Sequence, residues 1–260
     1  YISAPTILAA KWCGIPVILH ESNAIPGKVT RFFGRFSNLV CLGLPVPEKY
    51  LKNVNTKITG MPVRKSFLSP QALPEWIPLG EGPLIVIMGG SQGAVGLNKM
   101  VSSIVEDLLI NKCRIIHLTG SNENFTYHLN HKNLIIKEFS DQIPALLQHA
   151  DIVISRAGAG AISELAICQA PAILVPYPYA TDSHQDANAA VAAGFGAAVI
   201  VHQNESDSSS LRSILWRLLF NRTDENELLE KMRVAMKSLS SNNAEEKIIN
   251  YLKYFIEESL

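Results

Sequence analysis

The chain has 260 residues, of which 47% are hydrophobic and 18% charged, and its formal net charge is zero. This is the composition of a globular protein with room for one large domain or two medium ones. No run of about 18 consecutive apolar residues occurs, so we expect no membrane-spanning helix, and no signal-peptide pattern is found.

Charge is unevenly distributed along the chain. Residues 1–66 carry nine Lys and Arg against two Asp and Glu, a net charge of +7, whereas residues 67–203 have a net charge of −5. A basic section indicates an anionic neighbour such as a membrane surface or a phosphorylated ligand; the alternative is a solvated face that happens to be basic. The four cysteines are far apart, which predicts buried thiols in a reduced, cytoplasmic protein.

Short apolar runs alternate with amphipathic segments. The first residues already read as a helix that continues into a strand, and residue 1 is Tyr, so we expect sequence ahead of it to be missing. Most runs are rich in Val, Ile and Leu and alternate little, which is typical of strands buried on both faces of a parallel sheet. The predicted strands are Ile15–Leu19, Asn38–Leu42, Leu84–Met88, Arg114–Leu118, Leu134–Lys137, Ile152–Ser155, Ala172–Val175 and Ala197–Val201.

Helices are predicted between these strands, at Gly96–Ile110, Ala161–Cys168 and Gln185–Ala193. The alternation predicts an α/β fold with right-handed crossovers and a doubly wound sheet. The proline-rich stretch Ser69–Pro83 separates residues 1–66, which have too few strands to close a sheet, from residues 67–242, which have six. A last helix, Asn243–Leu260, starts with a capping pair and is predicted to pack on the first unit.

The sharpest local signal is a glycine-rich turn after the strand Leu84–Met88. Gly89, Gly90 and Gly93 let the backbone approach an anion closely, and the helix that follows offers free N–H groups and a positive dipole end. Ser91 adds a hydroxyl donor, and Gln92 lies in the same loop. The segment predicts a diphosphate cradle, although it matches neither G-x-G-x-x-G nor the P-loop pattern; a purely structural strand–helix turn is the alternative.

A second strand, Ile152–Ser155, also meets a glycine loop and a helix. Glu164 lies about one turn into that helix, where its carboxylate could accept hydrogen bonds from both ribose hydroxyls, as acidic residues do in dinucleotide sites. The alternative is an acidic residue placed in the first turn by the helix dipole. With Gly158 and Gly160 ahead of it, the ribose role is favoured.

The third signal, residues 176–188, follows another apolar strand at the edge where ligands bind in doubly wound sheets. Its Asp, His, Gln and Asn side chains suit sugar hydroxyls and an amide. A metal site through His184 with Asp182 or Asp186 is a competing idea, but no second ligand cluster is evident, so no metal is predicted. Helix capping is the alternative for Asp182 and Ser183.

The fourth signal lies in the basic section. Residues 20–27 form a polar loop after a strand, and Arg64 ends a turn where it could neutralise a diphosphate; an ordinary surface arginine is the alternative. The remaining histidines have no clear partners in sequence and are predicted to be structural or surface residues: His117, His128, His131, His149 and His202.

Taken together and in order, five motifs resemble those of the MurG family, the N-acetylglucosaminyltransferases that form lipid II. They are HESNAIPG (20–27), TGMPVR (59–64), GGSQGA (89–94), SRAGAGAISELA (155–166) and HQDANA (184–189). The resemblance covers nearly the whole chain. It implies a GT-B-type glycosyltransferase of two Rossmann-like doubly wound domains, the first incomplete here: an acceptor and membrane-side domain (residues 1–66) and a UDP-sugar-binding domain (residues 67–242).

The resemblance also implies the reaction. N-acetylglucosamine would pass from UDP-N-acetylglucosamine to undecaprenyl-diphospho-muramoylpentapeptide (lipid I), with inversion, at the cytoplasmic face of the bacterial inner membrane. No cofactor, metal or nucleic-acid partner is implied. The general base would lie ahead of Tyr1, so this chain alone is expected to bind the donor weakly and transfer little; His20 and Glu21 are weaker candidates. Residues 28–35 resemble part of a basic and apolar membrane-facing patch, or form an ordinary amphipathic helix.

Carried over residue by residue, the resemblance assigns donor binding to Asn23, Arg64, Ser91 and Gln185. It assigns the uracil contact to the backbone of Ser140, and the nucleoside and diphosphate loop to Ala159, Gly160, Ala161, Ile162, Ser163 and Glu164. Ser22 and Met61 depart from the family's usual Gln and Asn. Two alternatives stay open: a UDP-N-acetylglucosamine 2-epimerase, and a non-catalytic UDP-sugar-binding half that needs a partner. A nicotinamide dehydrogenase is disfavoured because the G-x-G-x-x-G spacing is missing.

Overall fold

Two parallel sheets organise the protein, whose computed structural model describes residues 3–90, 93–121, 125, 127, 129–203, 208–220 and 225–258. The first sheet has the order β1-β2-β3. Its strands are β1 (Ile18–Glu21), β2 (Leu39–Leu42) and β3 (Thr56–Ile58). The helices of this part and of the segment that follows are α1 (Ser3–Trp12), α2 (Lys28–Phe33) and α3 (Lys65–Leu68).

The second sheet has six strands. They are β4 (Leu84–Met88), β5 (Arg114–Leu118), β6 (Leu134–Lys137), β7 (Ile152–Ser155), β8 (Ala172–Leu174) and β9 (Ala198–Ile200). Their order, β6-β5-β4-β7-β8-β9, is that of a doubly wound dinucleotide-binding fold. The helices of the remaining chain are α4 (Val95–Ser102), α5 (Val105–Ile110), α6 (Ile143–His149), α7 (Ala159–Cys168), α8 (His184–Gly194), α9 (Ser208–Leu219), α10 (Glu225–Leu239) and α11 (Ala244–Glu257). The predicted α/β fold is confirmed.

Burial on both faces explains why β4 reads as an unbroken apolar run. Leu84, Val86 and Met88 belong to one core cluster, whereas Ile85 and Ile87 belong to the cluster on the opposite face. Successive side chains of a strand point to opposite faces, so a strand covered by helices on both sides needs apolar residues at every position. Burying each such side chain contributes about 1.5–3 kcal/mol.

Five details of the sequence-based prediction are wrong. The first strand, predicted at Ile15–Leu19, lies at Ile18–Glu21. The helix predicted at Gly96–Ile110 is two helices, α4 and α5. β3 was not predicted, because its three residues are partly or fully exposed. Asn243 stands at the N-cap position of α11 but makes no capping hydrogen bond through its side chain. Cys13 is exposed, although the other three thiols are buried.

The proline-rich stretch contains no helix between residues 70 and 83, as predicted. Gln148 of α6 holds it: the side-chain oxygen accepts the N–H of Gln71 at 2.8 Å, and the side-chain nitrogen donates to the carbonyl of Ser69 at 3.0 Å. Ala24 and Leu44, from loops of the first sheet, join the core cluster of the second sheet. The two sheets are therefore connected through apolar packing.

Residues after α10 return to the first sheet. The hydroxyl of Ser241 donates to the carbonyl of Thr59 at 2.7 Å, and Phe255 and Glu258 line a small cavity together with Lys11. Within the described residues, no helix has both the length and the apolar content that crossing a bilayer requires.

Candidate functional site

The site lies where the strand order of the larger sheet reverses. β4 and β7 are parallel neighbours, with Met88 paired to Ser155, so both strands end at the same level. Each strand is followed by a glycine-containing loop and a helix, α4 and α7 respectively. Ligands bind at this kind of reversal because loops leave in opposite directions and open a crevice.

A cavity of about 820 Å³ occupies this crevice. Its lining brings together three of the segments singled out in the sequence. They contribute Gly89, Gly90 and Gly93; Gly158, Ala161 and Glu164; and Gln185. Ser91 and Gln92 lie outside the described residues. The volume falls within the range of about 300–1,000 Å³ that is usual for small-molecule sites.

Glycine is required at several points of the first loop because the backbone is crowded. Gly90 and Gly93 have φ of +93° and +75°, a region that other residues rarely adopt. A Cβ on Gly89 would lie 2.3 Å from the Cβ of Ala94. A Cβ on Gly120, which follows β5, would lie 2.2 Å from the nitrogen of Gly93. The end of β5 therefore supports the loop from behind.

The second loop presents the N-terminus of α7 to the same cavity. The first hydrogen bond of the helix runs from the N–H of Ile162 to the carbonyl of Gly158, at 3.0 Å. The N–H groups of Ala159, Gly160 and Ala161 precede this bond and point out of the helix end, where they favour an anion. Ser163 turns its hydroxyl back to the carbonyl of Ala159, at 2.9 Å.

Glu164 is a half-buried carboxyl that lines the cavity. Burial raises its pKa, and the positive charge of Arg64 opposes that rise. Arg64 precedes α3 and is exposed, with its guanidinium 5.1 Å from the ring centroid of Phe67. Arg64 therefore lies close enough to affect the pKa of Glu164, although the Arg64 side chain does not line the cavity.

Arg156 is a cavity residue that the sequence reasoning missed. It is buried, and one terminal nitrogen donates to the carbonyls of Val175 at 3.0 Å and Pro176 at 3.1 Å. The other terminal nitrogen donates to the side-chain oxygen of Gln203, which also lines the cavity. Desolvation lowers the pKa of Arg156 to about 10, so it stays charged at neutral pH. The available signal was an arginine directly after a buried strand.

Only part of the predicted sugar-binding cluster faces the cavity. Gln185 lines it, with its side-chain oxygen accepting the N–H of Tyr177 at 2.9 Å. His184 is hydrogen-bonded to the carbonyl of Thr181, and Asp186 lies 3.4 Å from His202. Among the described residues, no group of three or more His, Cys, Asp or Glu side chains could hold a metal ion.

Asn188 is the clearest departure from the predicted sugar-binding cluster. Its side chain is fully buried and its amide is bonded within the protein, so it cannot bind a sugar hydroxyl. One of its partners is the side-chain oxygen of Asn23, a predicted donor ligand, at 3.0 Å. Asn23 itself is half-buried and does not line the cavity.

The other candidates of the first sheet serve the loop that follows β1. The carboxylate of Glu21 accepts the N–H groups of Asn23 at 3.1 Å and Gly27 at 2.9 Å. A ring nitrogen of His20 is hydrogen-bonded to the carbonyl of Gly60 at 3.1 Å. Neither side chain lines the cavity. Both hold the backbone of this region in place.

Ser140 does not itself line the cavity. Its hydroxyl is buried and accepts the N–H of Gln142 at 3.1 Å, while the neighbouring Glu138 and Phe139 line the cavity. The large apolar surface of Phe139 is 62% exposed, which leaves a ring available to a planar ligand.

His117 has partners that the sequence did not reveal. It is fully buried and hydrogen-bonded to the hydroxyl of Tyr127 at 2.7 Å and to the side-chain oxygen of Asn98 at 3.1 Å. Asn98 in turn donates to the carbonyl of Thr119 at 3.0 Å. The network ties α4 to the end of β5. Burial lowers the pKa of His117 to about 4, so the imidazole is neutral at pH 7. His128 lies outside the described residues.

Comparison with known families identifies both parts of the chain. Profiles of the glycosyltransferase family 28 C-terminal and N-terminal domains match residues 84–248 and 1–41. A protein of Synechococcus sp. (strain CC9605) is 54% identical, and the match covers 99% of this chain and 73% of the relative. A protein of Prochlorococcus marinus (strain MIT 9303) is 52% identical, and the match covers 100% of this chain and 73% of the relative. Both are named UDP-N-acetylglucosamine–N-acetylmuramyl-(pentapeptide) pyrophosphoryl-undecaprenol N-acetylglucosamine transferase.

Solved structures agree with this assignment. The crystal structure of Acinetobacter baumannii MurG has a TM-score of 0.78 at 29% identity, covering 98% of this chain and 71% of its own. A UDP-N-acetylglucosamine 2-epimerase of Listeria monocytogenes, described as putative, has a TM-score of 0.65 at 14% identity, covering 97% and 71%. At 14% identity the second likeness extends to the fold alone.

Proposed function

Because the chain belongs to glycosyltransferase family 28 and, within it, to the MurG family, we propose that it transfers N-acetylglucosamine from UDP-N-acetylglucosamine to lipid I. The product is lipid II, a peptidoglycan precursor. The observation that carries the proposal is the convergence of two glycine-lined strand ends, Glu164 and Gln185 on one cavity.

We infer one orientation for the donor in this cavity. The diphosphate lies between the N-termini of α4 and α7, where backbone N–H groups and two helix dipoles favour negative charge. The carboxylate of Glu164 accepts hydrogen bonds from the ribose hydroxyls, and the uracil lies toward Phe139 and the backbone of Ser140. The sugar then lies toward Gln185, at the start of α8.

Catalysis in this arrangement is a direct displacement. The C4 hydroxyl oxygen of the acceptor sugar forms a bond to C1 of N-acetylglucosamine while the bond from C1 to the UDP oxygen breaks, which inverts C1. The hydroxyl proton passes to a general base, and UDP leaves as an anion. Helix N-termini and the nearby charges of Arg64 and Arg156 stabilise the departing diphosphate. We assign the base to no described residue, because neither His20 nor Glu21 lines the cavity.

The acceptor is lipid-linked, and residues 1–66 together with α11 form the proposed acceptor and membrane side. Trp12 is 92% exposed and Phe32 59% exposed, on the neighbouring helices α1 and α2. Arg35 lies 5.4 Å from the ring centroid of Phe32. Aromatic residues beside cations bind at the interface of an anionic bilayer. We therefore place the protein peripherally at the cytoplasmic face of the inner membrane.

A transfer assay tests the reaction. The chain is incubated with UDP-N-acetylglucosamine radiolabelled in the sugar and with lipid I in detergent. Labelled lipid II together with released UDP supports the proposal. Free N-acetylmannosamine or its nucleotide would instead indicate the epimerase. Because transfer by this chain alone is expected to be slow, the assay runs to long incubation times. Donor binding, measured by calorimetry, with no label transfer even then would indicate a non-catalytic UDP-sugar-binding protein.

Vesicle sedimentation tests the membrane side. We expect the chain to bind vesicles rich in phosphatidylglycerol more tightly than vesicles of phosphatidylcholine, and less tightly at high salt. Trp12→Glu should weaken binding to the anionic vesicles. Leu79→Glu is the matched control, since Leu79 is 91% exposed in the proline-rich stretch, far along the chain from α1. Equal binding by both variants would contradict the assignment.

A further inference from the structure

The side chain of Asn188 connects three separate segments of the chain. It lies on α8, one turn after Gln185, and is fully buried. Its oxygen accepts the N–H of Ala24 at 2.8 Å. Its nitrogen donates to the carbonyl of Ala157 at 3.1 Å and to the side-chain oxygen of Asn23 at 3.0 Å. The contacts with residues 23 and 24 join the two sheets.

Two of these partners fix which way the Asn188 amide points. The partner at Ala24 is a backbone N–H, which can only donate, so the atom facing it must be the Asn188 oxygen. The partner at Ala157 is a carbonyl, which can only accept, so the atom facing it must be the nitrogen. The orientation therefore follows from the backbone and leaves no freedom to the side chain.

The fixed amide in turn orients Asn23. Since the Asn188 nitrogen donates, the atom of Asn23 that faces it must be the oxygen. The Asn23 nitrogen then points the other way, and no described residue accepts a hydrogen bond from it. Asn23 is half-buried, so this nitrogen offers its two N–H groups at the boundary between the sheets.

We propose that Asn188 is a positioning residue that presents Asn23 as a hydrogen-bond donor to the sugar of the nucleotide donor and couples its loop to the loop ahead of α7. The proposal rests on the proposed function. Ala157 directly precedes Gly158, the N-cap of α7, so one amide sets both the sugar contact and the start of the helix that bears Glu164. The ligand of Asn23 is an acceptor: a hydroxyl or acetamido carbonyl oxygen.

Calorimetry with UDP-N-acetylglucosamine and with UDP separates this role from a purely structural one. For Asn188→Ala we expect a rise of about 10-fold in the dissociation constant of the nucleotide sugar, corresponding to one lost hydrogen bond to a polar partner. Binding of UDP should weaken by a smaller factor, about 3-fold, because the start of α7 is disturbed but no sugar contact is lost. Leu215→Ala, which removes a fully buried side chain of α9, is the control for lost stability. An equal loss for both ligands would overturn the proposal.

A double-mutant cycle tests whether Asn188 acts through Asn23. If it does, Asn23→Ala and Asn188→Ala each weaken sugar-nucleotide binding, and the double variant is no weaker than the more impaired single variant. Multiplicative losses would overturn the coupling. Thermal melting of each variant shows whether it is folded at the assay temperature.

Asn23→Asp tests the chemistry without disturbing the buried residue. The carboxylate still accepts from Asn188 but offers no N–H to the sugar, so we expect a loss at least as large as that of Asn23→Ala. Retained binding would overturn the proposal even where Asn188→Ala does not fold. Failure of the unmodified chain to bind UDP-N-acetylglucosamine would instead contradict the proposed function, which keeps the two failures distinguishable.

Discussion

Gly120 offers a direct test of how the glycine-rich loop is supported. Replacement by Ala would put a Cβ 2.2 Å from the nitrogen of Gly93 and 2.8 Å from the carbonyl oxygen of Gly90. Ordinary contacts of this kind begin at 3.4 Å, so the loop must move by roughly 1.2 Å. Displacement on this scale breaks the backbone hydrogen bonds that we expect at the diphosphate. Each charged hydrogen bond contributes about 1.5–3 kcal/mol.

The expected result is a rise of about 10- to 100-fold in the dissociation constant for UDP, which corresponds to about 1.4–2.8 kcal/mol. Gly196→Ala is the matched control, because Gly196 has φ of +75°, close to the +72° of Gly120, and nothing within 4 Å of an added Cβ. Both substitutions cost about 1–2 kcal/mol of stability through the left-handed backbone. Calorimetry with UDP measures the difference. If both variants bind UDP equally, the loop does not hold the diphosphate.

Three further predictions concern buried polar groups. Glu164→Gln should weaken UDP binding about 10-fold. In the unmodified chain, UDP binding should weaken as falling pH protonates the Glu164 carboxyl. Because burial raises the pKa of this carboxyl, the weakening should begin at a higher pH than it would for an ordinary glutamate. Protonation of His117 should lower the free energy of unfolding by up to about 3 kcal/mol as pH falls from 6.5 through about 4, because burial lowers the pKa of this side chain. Urea titrations of the unmodified chain and of His117→Gln should therefore diverge over this pH range. Arg156→Lys should lower the free energy of unfolding, again measured by urea titration, by about 2 kcal/mol, because Lys cannot replace the two terminal nitrogens that donate hydrogen bonds. The control Arg217→Lys, at an exposed position, should lower it by less than about 0.5 kcal/mol.

The strands of the larger sheet were predictable because each is marked by a short apolar run, which is buried throughout in β4 and β7 and only at Leu134 in β6. β4, β5, β6 and β7 have the bounds expected from their apolar runs. β3 was missed because its residues are largely exposed, so no apolar run marks it. The break between α4 and α5 was also missed. The sequence on both sides of it is helical, and Ile104 at the junction is buried. The apolar periodicity continues across this junction and therefore does not mark the break.

Part of the cavity lining was predictable from local sequence patterns. Glycines after a strand and a carboxylate one turn into the next helix are local patterns, and they led to Glu164 and its loop. Arg156 was missed and Asn188 was misread because their roles depend on partners far along the chain. Arg156 bonds to Gln203, 47 residues away, and Asn188 to Asn23, 165 residues away. Such pairs are set by the topology of the sheets, and no spacing rule reveals them.

A crystal structure with UDP-N-acetylglucosamine bound tests the central claim most directly. We predict diphosphate density between the first N–H groups of α4 and α7, with both ribose hydroxyls within 3.2 Å of the Glu164 carboxylate, a hydrogen-bonding distance. The sugar should contact Gln185. Density for the nucleotide in another cavity, or a ribose turned away from Glu164, would contradict the account.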